Sequence, residues 1–212
     1  MRKLFLLLTV ILPQPIKQLF YRRVFGWKIG RRVHLGLSYI DAGSVDIGDD
    51  TCIGHFNVFR KIAKLEIGPT TYIANFNQFF GSDMRGAASC LVLGTNVRFM
   101  SRHFVDVAGH VEIGARSTIG GRDTQIWSHT IRIREGRQQL EPADVRIGEE
   151  VYVGARATLI CCDIPAGAMV GAGSVVAKSF PAESRRLLLA GNPAAIMKRY
   201  PPADIPPSST DG

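Results

Sequence analysis

An aliphatic residue followed by glycine or alanine recurs in this sequence in steps of six: Ile29-Gly30 and Leu35-Gly36, Ile47-Gly48 and Ile53-Gly54, Ile67-Gly68 and Ile73-Ala74, Ile113-Gly114 and Ile119-Gly120, Ile147-Gly148 and Val153-Gly154. Leu93-Gly94 and Val170-Gly171 follow the same pattern. Ile29 and Ile47 stand three such steps apart, one complete turn of a three-sided coil whose flat faces are short parallel strands. The aliphatic residues of such a coil point into a narrow triangular interior, and stacking successive coils buries them in columns. The small residue behind each marks a corner, where a bulky side chain is not tolerated and the backbone often takes an unusual angle. The pattern predicts an all-β parallel coil over residues 29–181. An N-terminal helical cap precedes it at 1–28, and a C-terminal segment of short helix and Pro-rich tail follows at 182–212.

A chain of 212 residues that is 46% hydrophobic suits one domain with a substantial core. The 26 basic and 18 acidic residues leave a net charge of +8, which favours phosphate-bearing molecules without choosing among anionic lipid, nucleic acid and a nucleotide cofactor. Cys52, Cys90, Cys161 and Cys162 form no CxxC pair, so neither a disulfide framework nor a structural zinc site is indicated, and a reducing cytoplasm is the simplest setting. The start, MRKLFLLLTVIL, opens as a secretory signal does, but no small-residue cleavage site follows. Its apolar run is shorter than the roughly 20 residues that span a bilayer. Ile16, Leu19, Phe20 and Phe25 then alternate with Lys17, Arg22, Arg23 and Lys28. Two short helical pieces are expected here, either covering the exposed end of the coil or lying on an anionic membrane surface.

The repeats fail in three places: residues 81–89, residues 131–144, and the shortened turn Cys161-Cys162-Asp163. Loops that leave a rigid coil are natural places for chemistry. His129 leaves the coil beside Trp127, in TQIWSHT, just before the second failure. The order TQIWSHT, a polar loop, VRIGEEVYVGARATLI, MVGAGSVVAKSF and AGNPAAIMK resembles the hexapeptide-repeat acyltransferase superfamily, in particular the galactoside, maltose and polysaccharide-biosynthesis acetyltransferases. The resemblance covers residues 29 to 198. It implies a left-handed coil, assembly as a homotrimer with shared sites, acetyl-coenzyme A as cosubstrate, and a sugar or lipid-linked sugar as acceptor. It implies neither a metal nor a nucleic-acid partner, and a cytoplasmic location that includes the inner face of the membrane if the N-terminal segment binds lipid.

By the same resemblance His129 is the general base, with Trp127 beside it at the acceptor. The segment YIANFNQFFGSD resembles the acceptor-contacting stretch of the family and assigns that role to Asn75 and Asp83, while the SRH of MSRHFVDVAGHVEIG brings His103 to the site. Gly154, Ala155, Ala172 and Gly173 match turns whose backbone lines the pantetheine arm, and Lys178 matches the lysine lying toward the adenosine phosphates.

The chemistry asks for little more. An acetyl thioester is already activated, so acceptor and thioester must be held together, a proton removed from the attacking group and the oxyanion stabilised. An unperturbed histidine, with a pKa near about 6.5, accepts a proton at neutral pH. Direct transfer needs no protein nucleophile, and Cys161 and Cys162 are read as small packing residues. His34, His55 and His110 sit on repeat faces without a loop or partner and are read as surface or corner residues. Two other readings of the coil remain. One is a non-catalytic scaffold; the other is a γ-type carbonic anhydrase-like protein, which needs three histidines converging on a metal with a spacing that His103, His110 and His129 lack.

Overall fold

The computed structural model describes residues 2–83, 89–134, 136–182 and 186–201. They form a left-handed parallel β-helix of three faces, the sense opposite to almost all parallel crossovers. Parallel pairing aligns Ile29, Ile47, Ile67, Leu93, Ile113, Ile147 and Ile164 in one column on the first face. The second face aligns Leu35, Ile53, Ile73, Phe99, Ile119, Val153 and Val170. The third aligns Ile40, Phe59, Phe79, Val105, Ile126, Leu159 and Val176. All are buried, and Phe59 and Phe79 stack with ring centroids 4.4 Å apart. Each buried aliphatic or aromatic rung contributes about 1.5–3 kcal/mol, so the six-residue register is what holds the coil together.

The corners refine the expectation about glycine. A Cβ on Gly36 would lie 2.2 Å from the Gly54 carbonyl oxygen, so the small residue permits the close approach of the next coil. The left-handed backbone falls two residues later, on Arg32, Asp50, Phe56, Phe76, Arg116 and Glu150, all with φ between 53° and 61°. On the first and second faces the residue after most column positions is small for space, and a neighbour two residues on carries the angle.

One corner, between the second and third faces, has a polar lining inside. The Asn57 backbone N–H and side-chain amide both donate to Ser38 Oγ, at 3.0 and 3.2 Å, and Asn77 N–H donates to Asn57 Oδ1 at 2.9 Å. His103 N–H donates to Asn77 Oδ1 at 2.9 Å, and Thr124 N–H to His103 Nδ1 at 3.1 Å. Ser38, Asn57, Asn77 and His103 are thus successive rungs of one buried ladder, each accepting the corner N–H of the next coil, and Thr124 ends it by donating its hydroxyl to the Gly154 carbonyl at 3.1 Å.

Two helices precede the coil, α1 at Arg2–Thr9 and α2 at Gln14–Val24. The first coil would otherwise expose unpaired backbone, and α2 covers it. Gln18 Nε2 donates to Val33 O at 2.7 Å, Arg22 Nη2 to Ile29 O at 2.7 Å, and Lys17 Nζ to Leu35 O and Gly36 O at 3.2 and 3.0 Å. Burial lowers the Lys17 ammonium pKa below its usual range.

At the other end the expected C-terminal helix is not formed among the described residues. Leu187–Gly191 and Ala194–Arg199 make an antiparallel hairpin, and the first of these strands extends the second face by pairing with Met169–Val170. Leu187 and Leu189 are both fully buried, a period of two that suits a strand, and Gly191 with φ 104° opens a turn at Pro193.

The long excursions leave the coil at the edge between the third and first faces. Gly81, Ser82 and Asp83 lead off the third face there, and residues 84–88 lie outside the described residues. Residues 129–142 leave at the same edge two coils later, not as an irregular loop but as an antiparallel hairpin arm, His129–Arg134 paired with Arg137–Pro142.

Candidate functional site

The arm begins at His129, and one coil earlier the third-face strand Phe104–Val107 ends beneath it, in register through Phe104 with Gln125 and Val105 with Ile126. That register sets Asp106 against the residues following Trp127. Its Oδ2 accepts from Ser128 N–H at 3.1 Å and meets His129 Nδ1 at 2.8 Å. Ser128, fully buried, turns its hydroxyl to the Asp106 carbonyl at 2.8 Å and accepts from Gly109 N–H at 3.0 Å, which fixes the turn.

A carboxylate only accepts, so Nδ1 carries the proton and Nε2 presents a lone pair. The His129 side chain is 22% exposed and that of Asp106 15%. This is a half-sheltered imidazole of fixed tautomer, the arrangement a general base requires.

Trp127 stands beside it, ring centroids 5.7 Å apart at 81°, and packs on Phe104 at 5.0 Å, which packs on Phe80 at 5.7 Å. These half-buried rings form an aromatic surface on the outside of the third face, ending at the histidine. Cys161, on the next coil, directs its Sγ to the His129 carbonyl at 3.2 Å. Burial raises the Cys161 thiol pKa and pushes that of the fully buried Cys162 up to about 12, so both stay protonated and serve as packing and donor groups.

His103 is not part of this surface. It is 2% exposed, edge-on to Phe99 at 5.2 Å inside the coil, and serves as a corner rung. Its expected contact with substrate is therefore corrected, because the imidazole stands on the inner side of the wall. Burial depresses its pKa to about 4, and Nε2 makes no well-formed hydrogen bond among the described residues.

Asn75 lies at the edge between the second and third faces, two coils from His129, with Oδ1 accepting from His55 N–H at 2.7 Å. Asp83 lies on the His129 edge but two coils away, exposed and ion-paired with Lys61, whose ammonium holds the carboxyl below its usual range. Neither stands next to the imidazole. Gly154, Ala155, Ala172 and Gly173 stack on the edge between the second and third faces in the last two coils, joined by Gly173 N–H to Ala155 O at 2.9 Å. Lys178 is exposed with its ammonium 5.4 Å above the Phe180 ring. The width of the third face separates this edge from His129, so one chain does not bring these residues and His129 together.

Asp106 is the residue that the sequence reading missed. Its signal was faint: a lone acid in the strand FVDV, one coil before a histidine that leaves the coil. A cavity of about 1080 Å³ runs along the edge between the first and second faces by Gly114, Gly148 and Phe180 and contains none of these residues. Among the described residues no group of three or more His, Cys, Asp or Glu is arranged to hold a metal ion.

No protein-family model matches the sequence, and no curated protein matches it. Among solved structures the chain is similar to a variant of AntD, an N-acyltransferase from Bacillus cereus in complex with dTDP and coenzyme A. The TM-score is 0.52 at 15% identity, covering 89% of each chain. A second variant of AntD in the same complex gives 0.50 at 16% identity, with 89% of this chain and 90% of that one covered. A hexapeptide-repeat acetyltransferase from Vibrio cholerae gives 0.49 at 17% identity, covering 93% and 88%. At such identity the likeness is one of fold.

Proposed function

We propose that the protein is an acetyl-coenzyme A-dependent acyltransferase that acts on a hydroxyl or amine of a sugar, in the biosynthesis of cell-surface polysaccharide. The observation that carries this reading is the pair His129 and Asp106, 2.8 Å apart, with the imidazole Nε2 making no hydrogen bond among the described residues at the rim of the third face. Nε2 takes the acceptor proton as the oxygen or nitrogen attacks an acyl group that arrives already activated as a thioester. Asp106 holds the tautomer and stabilises the imidazolium that forms. The aromatic surface of Trp127, Phe104 and Phe80 suits the apolar face of a sugar ring.

The exposed Ala172 and Gly173 leave their edge low enough for a thin pantetheine arm, and Lys178 supplies a cation suited to phosphate. AntD, of like fold, was crystallised with coenzyme A and dTDP, which agrees with a thioester donor and a nucleotide-linked sugar as acceptor.

The active unit is a homotrimer in this reading. Ile131, Ile133 and Leu140 lie on one side of the arm, 59%, 76% and 41% exposed, with Ile131 paired to Leu140. An apolar side placed directly after the base suits a second copy, whose coenzyme edge then completes the site.

The test is calorimetric titration with coenzyme A, with thiol release from acetyl-coenzyme A measured over a panel of free and nucleotide-linked sugars. His129→Ala should lower turnover about a hundred-fold or more and leave coenzyme A affinity within about two-fold. Absence of coenzyme A binding by the unaltered protein at millimolar ligand would favour a scaffold without catalysis.

A further inference from the structure

The two helices before the coil do different jobs. The polar side of α2 satisfies the bare backbone of the first coil, so the end of the fold is closed without help from α1. Helix α1 is fastened by the side that holds Arg2, Leu6 and Thr9. Arg2 pairs with Asp41 at 3.0 Å, Leu6 is fully buried, and Thr9 Oγ1 meets the Tyr21 hydroxyl at 2.9 Å.

Its apolar stripe faces the other way. Leu4, Leu7 and Leu8 follow the i, i+3, i+4 spacing of one helical face, Ile11 stands in the turn just after the helix, and the four are 63%, 59%, 53% and 75% exposed. Ile16 and Leu19 of α2 are 53% and 57% exposed as well. A helix whose purpose was to close the coil would turn this stripe inward. Here the inward side carries Arg2, Leu6 and Thr9, and the stripe is left outside.

Residues 1–28 contain Arg2, Lys3, Lys17, Arg22, Arg23 and Lys28 and no aspartate or glutamate. Arg2 and Lys28 are paired with Asp41 and Asp46 of the coil and Lys17 is buried, which leaves Lys3, Arg22 and Arg23 as exposed cations beside the stripe. A second copy docking here would bring two such sets of cations together, whereas an anionic lipid surface offers the opposite charge and an apolar layer directly beneath it. Among the described residues no helix is long and apolar enough to cross a membrane.

We propose that α1, with Ile16 and Leu19, lies on an anionic lipid bilayer, its apolar stripe sunk to the depth of the acyl-chain boundary and Lys3 and Arg23 at the headgroups. The inference stands apart from the proposed activity, since it draws on none of the residues around His129.

The experiment is cosedimentation of the full chain with phosphatidylcholine vesicles, with and without about 30 mol% phosphatidylglycerol. Binding is expected to the anionic vesicles only, to weaken with added salt, and to fall about ten-fold or more in Leu7→Asp/Ile11→Asp while the melting temperature stays within about two degrees. Lys3→Glu/Arg23→Glu, which leaves the stripe intact, should weaken binding several-fold and guards against misfolding of the first variant. Absent binding to anionic vesicles overturns the proposal, as does equal binding by the unaltered protein and both variants. A drop in solution mass for Leu7→Asp/Ile11→Asp without vesicle binding also overturns it, giving the stripe to a second copy.

Discussion

His103 and His129 occupy adjacent coils and opposite sides of the same wall. His103 stands inside the corner between the second and third faces, 2% exposed, accepting the Thr124 N–H and edge-on to Phe99. His129 stands outside, where the third face gives way to the arm, with a carboxylate on Nδ1 and a bare Nε2. The fold assigns their chemistry. A coil corner demands an inward acceptor for the next N–H, and a histidine that supplies it is held neutral by burial. A coil edge that releases its chain into an arm makes no such demand, so the imidazole there is free to act on something outside.

The largest expected effect breaks the outer pair. Asp106→Asn replaces a group that only accepts with an amide able to donate to Nδ1, which moves the imidazole proton to Nε2 and removes the lone pair. Turnover should fall about a hundred-fold or more with the KM for acetyl-coenzyme A little changed, because the carboxylate touches the imidazole and not the donor. Steady-state kinetics over a range of both substrates measures this. A loss confined to KM would mean that Asp106 shapes the substrate surface and does not orient the base.

The inner histidine should be read in stability. Its folded pKa of about 4 lies below the ordinary histidine value of 6.5, so protonation favours the unfolded chain. The stabilising contribution is complete above pH 6.5 and is lost as pH falls from there toward about 4, a change on the order of 3 kcal/mol at most. His103→Asn installs the residue that Asn57 and Asn77 present at the same corner, so it should keep the fold and flatten this part of the pH dependence. Urea unfolding of both proteins near pH 7 and near pH 5 gives the comparison, carboxylate effects being common to the two. Equal pH slopes would remove His103 as their cause.

Much of the fold was legible in the sequence because stacking makes each column rung repeat. Ile29, Ile47 and Ile67 announce their neighbours by spacing alone. His103 could have been placed by the same rule, since it follows Phe99 at the distance by which Asn57 follows Ile53 and Asn77 follows Ile73. The SRH resemblance drew it toward the site instead. Asp106 was not legible, because its partner lies across an inter-coil pairing whose register depends on how many residues each preceding corner absorbs. The two coils around it differ in length, so no fixed spacing leads from the acid to the base. The C-terminal hairpin escaped for a related reason: its alternating Leu187 and Leu189 have meaning only once the second face is there to be extended. The direction of α1 was equally hidden, for a stripe of Leu4, Leu7, Leu8 and Ile11 states that a face exists and not which way it turns.

The smallest expected effect concerns the edge between the first and second faces, which keeps its regular corners and is the most visibly charged. Arg31 and Arg32 reach Asp49 and Asp50 one coil on, at 3.2 and 2.5 Å, and Arg116 reaches Glu149 and Glu150 at 2.8 and 3.0 Å. These side chains are largely exposed, so water and salt screen them and ordering a long arginine offsets much of the attraction. Arg116 carries a second cost: its φ of 59° is a left-handed angle that glycine takes freely. Arg116→Gly removes both ion pairs and relieves the angle, two terms of opposite sign. Arg116→Ala removes the pairs and keeps the angle, so it isolates the electrostatic part. It should lower stability only slightly, and the loss should fade with added salt, while Arg116→Gly should be near neutral or slightly stabilising. Thermal melting of the three proteins at low and high salt separates the terms. A loss from Arg116→Ala that is several-fold larger and insensitive to salt would show the regular edge to be held by its charges, and the contrast between an edge kept for stacking and an edge opened for chemistry would need a different physical basis.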